Sequence, residues 1–136
     1  MTETTFHLEP LKSRPAPLVP AETIVAVNTV VLAAGDIPRG ILRRFYGHVL
    51  GLDFIISDDD ENIRFKHLRR EVLLSRRHQL LGTVKLTVRN IGNILPRLKH
   101  ARIAHELLHT HDGLNTTAVL RDPAGNWVHL AETRPF

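Results

Sequence analysis

The chain contains an internal repeat, and that repeat limits its folds more than any other feature. Thr83-Val84-Lys85-Leu86-Thr87-Val88-Arg89-Asn90-Ile91 can be laid without a gap on Thr29-Val30-Val31-Leu32-Ala33-Ala34-Gly35-Asp36-Ile37, an offset of 54 residues. Two copies at this period are too few and too long for a solenoid, in which many short units stack. Each unit alone would leave an apolar face uncovered, so the two should pair within one domain. A length of 136 residues suits a single core of that kind.

In the first unit, Ile24 to Ala34 is rich in β-branched residues and closes at Gly35-Asp36, which predicts one strand. Asp36 is placed to cap a helix in which Ile37, Ile41, Leu42, Phe45, Tyr46, Val49 and Leu50 recur at helical spacing. Pro38 falls in its first turn and Gly51 just past its end. Strands are predicted at Asp53 to Ser57, Ile63 to Leu68 and Val72 to Ser75, with the acidic turn Asp58-Asp59-Asp60-Glu61-Asn62 after the first. The second unit follows the same order. The strand Thr83 to Ile91 leads to a short helix capped by Asn93, with Pro96 in its first turn and Ile94, Leu95, Leu98 and Ala101 turned inward. Three strands then fit at about 103–110, Thr116 to Arg121 and Trp127 to Glu132, the last two joined by Asp122-Pro123-Ala124-Gly125-Asn126. The expected fold class is α+β, two paired βαβββ modules covering about 23–78 and about 79–136. Residues 1–22 hold four of the eight prolines and no periodic pattern, so an extended or disordered N-terminal arm is expected there.

Composition narrows the chemistry. With no cysteine, neither disulfides, a thiolate metal site nor a cysteine nucleophile is available. No apolar run reaches the length of a membrane span or a signal peptide, so a cytoplasmic protein without a membrane partner is expected. The net charge of +4 suits anionic small molecules. The basic residues fall in short pairs (Arg43-Arg44, Arg69-Arg70, Arg76-Arg77), and five Phe, one Tyr and one Trp make a poor stacking surface. A solvated basic surface is therefore expected in preference to a nucleic-acid interface.

Two segments carry a resemblance to a known family. Asp36-Ile37 followed by Phe45-Tyr46-Gly47-His48-Val49-Leu50-Gly51-Leu52 is similar to an Asp-Leu … Phe-Tyr-x-x-Val-Leu-Gly-Leu signature. Leu120-Arg121-Asp122-Pro123-Ala124-Gly125-Asn126-Trp127-Val128-His129-Leu130 is similar to an Asp-Pro-Asp-Gly-Asn-x-x-Glu-Leu ending. Both signatures belong to the vicinal-oxygen-chelate superfamily of glyoxalases, bleomycin-resistance proteins and dioxygenases, which residues 24–134 resemble. The resemblance implies curved, antiparallel-rich sheets that form a cavity, typically with a divalent metal held by His, Glu or Gln, and often a homodimer. It places the family's first ligand on Thr29 and, through the repeat, Thr83, and its closing carboxylate on Leu73 and His129. Of these four, His129 alone is a good ligand, so no cofactor is expected, although a divalent metal held elsewhere stays open.

Alternation along the strands assigns faces. Val84, Leu86 and Val88 form an apolar face for the helix, which turns Thr83, Lys85 and Thr87 toward the side where the family has its cavity. Thr29, Val31 and Ala33 are their counterparts in the repeat. On the closing strand Trp127, His129 and Ala131 take the same side. Lys85 could pair with a carboxylate or phosphate, Trp127 could stack on a planar ligand, and His129 could bind a ligand or act as a catalytic proton carrier. Each also has a structural reading: a snorkelling lysine, a core indole and a hydrogen-bonded imidazole. Thr29, Thr83, Lys85, Trp127 and His129 are thus the expected ligand-binding residues.

His105-Glu106-Leu107-Leu108-His109 matches the His-Glu-x-x-His zinc-protease pattern, which works only on a helix. The repeat puts this segment on a strand, where positions i and i+4 stand roughly 13 Å apart. His109 and His111, as i and i+2, would share a face about 7 Å apart and could hold a relocated metal with His129. The competing reading is a polar edge strand. The acidic turn lacks the glycine and spacing of a calcium loop. Two functions remain: a protein that binds a small polar or anionic organic molecule between its modules without the usual metal triad, or a metal-dependent lyase, isomerase or dioxygenase using His129.

Overall fold

The computed structural model describes residues 16–109 and 115–133. Its strands are β1 (Ile24–Val27), β2 (Val30–Ala33), β3 (Asp53–Phe54), β4 (Asn62–His67), β5 (Arg70–Ser75), β6 (Thr83–Val88), β7 (Glu106–His109), β8 (Thr116–Arg121) and β9 (Trp127–Glu132). Helix α1 (Arg39–Arg43) follows β2 and widens into π-helical turns over Arg44–Val49, and α2 (Ile91–His100) follows β6. The fold is α+β, with two open sheets ordered β2-β5-β4-β3 and β1-β6-β9-β8-β7.

The repeat in the sequence is a repeat in topology. In each unit the opening strand pairs in parallel with the closing strand, β2 with β5 and β6 with β9, and the remaining strands pair antiparallel. Alternation divides the faces as expected: Val84, Leu86, Val88, Val128 and Leu130 are buried with Ile91, Ile94 and Leu98 of α2 in one apolar cluster. Leu42, Phe45, Tyr46 and Val49 of the first helical segment join Ile63, Phe65, Val72 and Leu74 in the same cluster. The Tyr46 and Phe65 rings lie 5.2 Å apart between centroids. Upstream, Val19 is fully buried, and the N–H groups of Leu18 and Val19 donate to the carbonyls of His48 and Val49.

Several boundaries differ from the sequence expectation. The run Ile24 to Ala34 is two strands in two sheets, broken at Asn28-Thr29. The Asn28 side chain causes the break by imitating strand backbone: Oδ1 accepts from the Lys85 N–H at 2.7 Å, and Nδ2 donates to the Thr83 carbonyl at 3.3 Å. The chain can then leave β6 and cross to the other sheet. Pro38, not Asp36, occupies the cap position of α1, and Ile41 faces solvent. Helix α2 begins at Ile91, before Asn93, after Asn90 in the left-handed region at φ 56°, and Ala101 is exposed beyond its end. β3 stops at Phe54 instead of running to Ser57.

The modules are joined by a buried polar network at the Asp-Pro-x-Gly-Asn turn. Asp122 Oδ1 accepts from the N–H groups of Ala124 and Asn126, while Oδ2 accepts from the Asn126 amide at 2.8 Å and from the Tyr46 hydroxyl at 2.5 Å. The Asn126 amide reaches across to β2, accepting from the Ala33 N–H at 3.2 Å and donating to the Ala33 carbonyl at 2.7 Å. It also accepts from the Gly82 N–H at 3.0 Å. β2 is the edge of its sheet, so this side chain satisfies backbone groups that no neighbouring strand reaches. A Cβ on Gly82 would lie 2.8 Å from the Leu32 side chain, which keeps the linker close to β2.

Candidate functional site

The parallel register of β6 and β9 places Thr83 opposite Trp127, Lys85 opposite His129 and Thr87 opposite Ala131. Residues opposite one another share a face. This face turns away from the buried Val84, Leu86 and Val88. Lys85 is exposed, and Thr83 and His129 are half-buried. Pairing of β9 with β8, and β8 with β7, extends the Lys85–His129 row through Val119 to Glu106. An ammonium, an imidazole and a carboxylate therefore stand on one face of three neighbouring pairs, and the sequence pattern assigned only the first two to it.

Trp127 is 39 % exposed, and one face of its indole is covered by the Arg121 guanidinium, 3.6 Å from a ring centroid. The two residues are opposite each other across the β8–β9 turn. The pair holds the guanidinium and the indole at fixed positions and leaves less of the ring for a planar ligand. A cleft of about 610 Å³ runs from Trp127 and Arg121 toward the edge strand, lined also by Arg102, His105 and Glu106. Thr83, Lys85 and His129 lie outside its wall, on open sheet surface.

Module one presents a different surface at the same backbone positions. Val31 is opposite Leu73, as Lys85 is opposite His129. Val31 is 44 % exposed and Leu73 half-buried, so this part of the face is apolar. Thr29 is in the two-residue break before β2 and exposed, outside the register that sets Val31 opposite Leu73. The four positions named by the resemblance thus hold a threonine off the strand, a threonine, a leucine and one imidazole. Such a donor set does not fit a zinc, iron or manganese ion held within one chain.

Register also separates the histidines. His109 is opposite Thr116, which alternates with Thr117, while Thr117 shares its row with Ala131 and hence its face with His129. His109 and His129 therefore lie on opposite sides of the sheet. The His109 ring is 3.3 Å from the Thr116 hydroxyl. His111 lies outside the described residues. Glu106 opens strand β7 and His105 immediately precedes it, so the His-Glu-x-x-His match has no helix to act from. In the acidic turn, Asp59 accepts from the Asn62 side-chain amide and from the backbone N–H groups of Glu61 and Asn62, which holds its carboxyl below the ordinary carboxylate range. That carboxylate is committed to shaping the hairpin tip.

No helix among the described residues is long and apolar enough to cross a membrane. No protein-family model and no curated protein sequence matches the chain. Solved structures do match. A lactoylglutathione lyase from Agrobacterium tumefaciens superposes with a TM-score of 0.66 at 21 % identity, over 79 % of this chain and 93 % of that one. A member of the glyoxalase/bleomycin resistance protein/dioxygenase superfamily from Sphaerobacter thermophilus gives 0.62 at 17 % identity, over 81 % and 98 %. A glyoxalase/bleomycin resistance protein/dioxygenase from Alicyclobacillus acidocaldarius gives 0.60 at 16 % identity, over 82 % and 93 %. The fold is that of this superfamily.

Proposed function

We propose that the chain is a member of the glyoxalase/bleomycin-resistance/dioxygenase superfamily that binds a small polar or anionic organic molecule on the open face of its second module, without the family's usual metal triad. The observation that carries this reading is the Lys85–His129 pair, set opposite each other where module one has Val31 and Leu73. Lysine supplies a fixed positive charge and three donors, and the imidazole beside it supplies a donor, an acceptor or a second charge. Apolar surface from Val31 and Leu73 would cover the ligand's carbon framework, and a homodimer that closes over the face would shield both. The test is ligand-detected NMR against hydroxy acids, phosphate esters and aromatic carboxylates, repeated on Lys85→Ala and His129→Ala. Expected is a hit whose affinity falls at least tenfold in either variant, about 1.4 kcal/mol. Hits bound equally well by both variants, or none at all, would remove the reading.

A metal-dependent lyase, isomerase or dioxygenase is the alternative, since His129 retains one competent ligand at a family position. With His109 on the other side of the sheet, the remaining ligands would have to come from a partner subunit or from His111 through it. Elemental analysis of the tag-free protein separates the two. About one transition metal ion per chain favours the enzyme, and none, even after the ions are added back, favours the binding protein.

A further inference from the structure

A second cleft, of about 480 Å³, lies between edge strand β1 and the β4–β5 turn and includes none of Thr83, Lys85, Trp127 or His129. Val25, Ala26 and Val27 line one side, and His67, Leu68, Arg69 and Arg70 the other. β1 is irregular here, its register shifting between Ile24 and Ala26, and Val25 is left 40 % exposed. The cleft is thus mainly apolar and bounded on one side by a segment that carries two arginines and a histidine, and among the described residues no carboxylate lines it.

Three features of the His67–Arg70 segment lack an internal explanation. The side chains of Arg69 and Arg70 make no ion pair or hydrogen bond among the described residues, although those of Arg76 and Arg77 nearby in sequence are bonded to backbone and to Glu61. His67 Nε2 is buried with no hydrogen-bond partner among the described residues, a condition that generally costs about 1–3 kcal/mol. With no bond holding the ring, only packing opposes its turning toward an acceptor. Leu68 has a positive φ of 55° and is 77 % exposed, so a large apolar side chain occupies a strained turn position and faces solvent.

We propose that this cleft binds a small amphipathic carboxylate, its apolar part against Val25, Val27 and Leu68 and its carboxylate between Arg69, Arg70 and His67. Guanidinium groups recognise carboxylates through charge-assisted, paired hydrogen bonds, and the volume falls within the roughly 300–1,000 Å³ general for small-molecule sites. A free inorganic anion would leave the apolar wall unused, and an uncharged lipid would leave both arginines unpaired.

Octanoate is the probe, titrated into the full chain and followed by calorimetry and backbone-amide NMR. Saturable binding is expected, with the largest amide shifts at residues 25–27 and 67–70. 1-Octanol and inorganic phosphate should each bind at least tenfold more weakly. The R69Q/R70Q double variant should lose at least tenfold in affinity. Val25→Glu, at an exposed edge position, should do the same by placing a carboxylate in the cleft, while K85A and H129A should leave octanoate binding unchanged. The proposal is overturned by the absence of saturable binding, by 1-octanol or phosphate binding as tightly as octanoate, by indifference to R69Q/R70Q and Val25→Glu, or by loss of binding in K85A or H129A.

Discussion

Replacing Asn126 by Ala tests whether one amide joins the two modules. The side chain is fully buried and serves four partners: the N–H groups of Ala33 and Gly82, the Ala33 carbonyl and Asp122 Oδ2. Removing it leaves three backbone groups without those partners in an interior that water reaches poorly. Each buried orphan costs about 1–3 kcal/mol, but the three are neighbours and their losses will not add. A loss of about 3–5 kcal/mol is expected, a large part of the roughly 5–15 kcal/mol that holds an ordinary domain together. Urea unfolding at neutral pH measures it directly, with the midpoint falling and the slope unchanged if the native fold persists. Asn126→Asp sharpens the test: the acceptor survives, but the donor to Ala33 is lost and a second carboxylate stands beside Asp122. It should be at least as damaging at neutral pH and should recover as acid protonates one of the pair. A loss below about 1 kcal/mol in Asn126→Ala would show that solvent satisfies Ala33 and Gly82 easily, and would refute the assignment of a joining role to this side chain.

Burial, and next the neighbouring Asp122 carboxylate, push the Tyr46 phenol far above its ordinary value near 10. The folded state therefore holds this proton more tightly than the unfolded one, so the contribution is fully present below about pH 10 and is lost as pH rises beyond it, with a limiting slope near 1.4 kcal/mol per pH unit. The difference in unfolding free energy between the parent chain and Tyr46→Phe, followed from pH 8 to about 11, should fall over that upper range; a difference that stays flat would contradict the burial argument. As the single tyrosine, Tyr46 should also show no tyrosinate absorbance at alkaline pH until the protein unfolds. Gly51→Ala is expected to cost about 2–4 kcal/mol, because Gly51 has φ +75° and a Cβ there would collide with the Val19 carbonyl oxygen. Its thermal midpoint should fall well below that of Gly40→Ala, where a Cβ meets nothing.

The fold was legible because burial on one face writes itself into alternation. Val84, Leu86 and Val88 are buried and Lys85 is exposed as the pattern of period two required. The break at Asn28-Thr29 escaped because β-branched residues continue on both sides of it. The signal was present, however, in a polar pair that interrupts an apolar run, with an asparagine able to bond backbone. The Asp-Pro-x-Gly-Asn segment read as a hairpin turn, and it is one. Its second role, holding Ala33 and Tyr46 of the other module, depends on contacts 93 and 76 residues away in sequence, and no local pattern carries them. Arg121 could have been found, since a turn of that length brings the residue before Asp122 opposite the residue after Asn126.

The site was legible only in part, for a related reason. Alternation assigns a residue to a face but not to a partner, so Lys85 and His129 could be placed on one side while their adjacency waited on the parallel register of β6 and β9. The same register shows what the repeat means chemically. Because β2 and β5 pair in parallel as β6 and β9 do, Val31 and Leu73 stand on equivalent backbone to Lys85 and His129. Any difference in what the two halves can bind must therefore lie in side chains rather than in strand order. A duplicated scaffold with one apolar and one basic, imidazole-bearing half can orient an asymmetric ligand, whereas two identical polar halves would accept it in either direction.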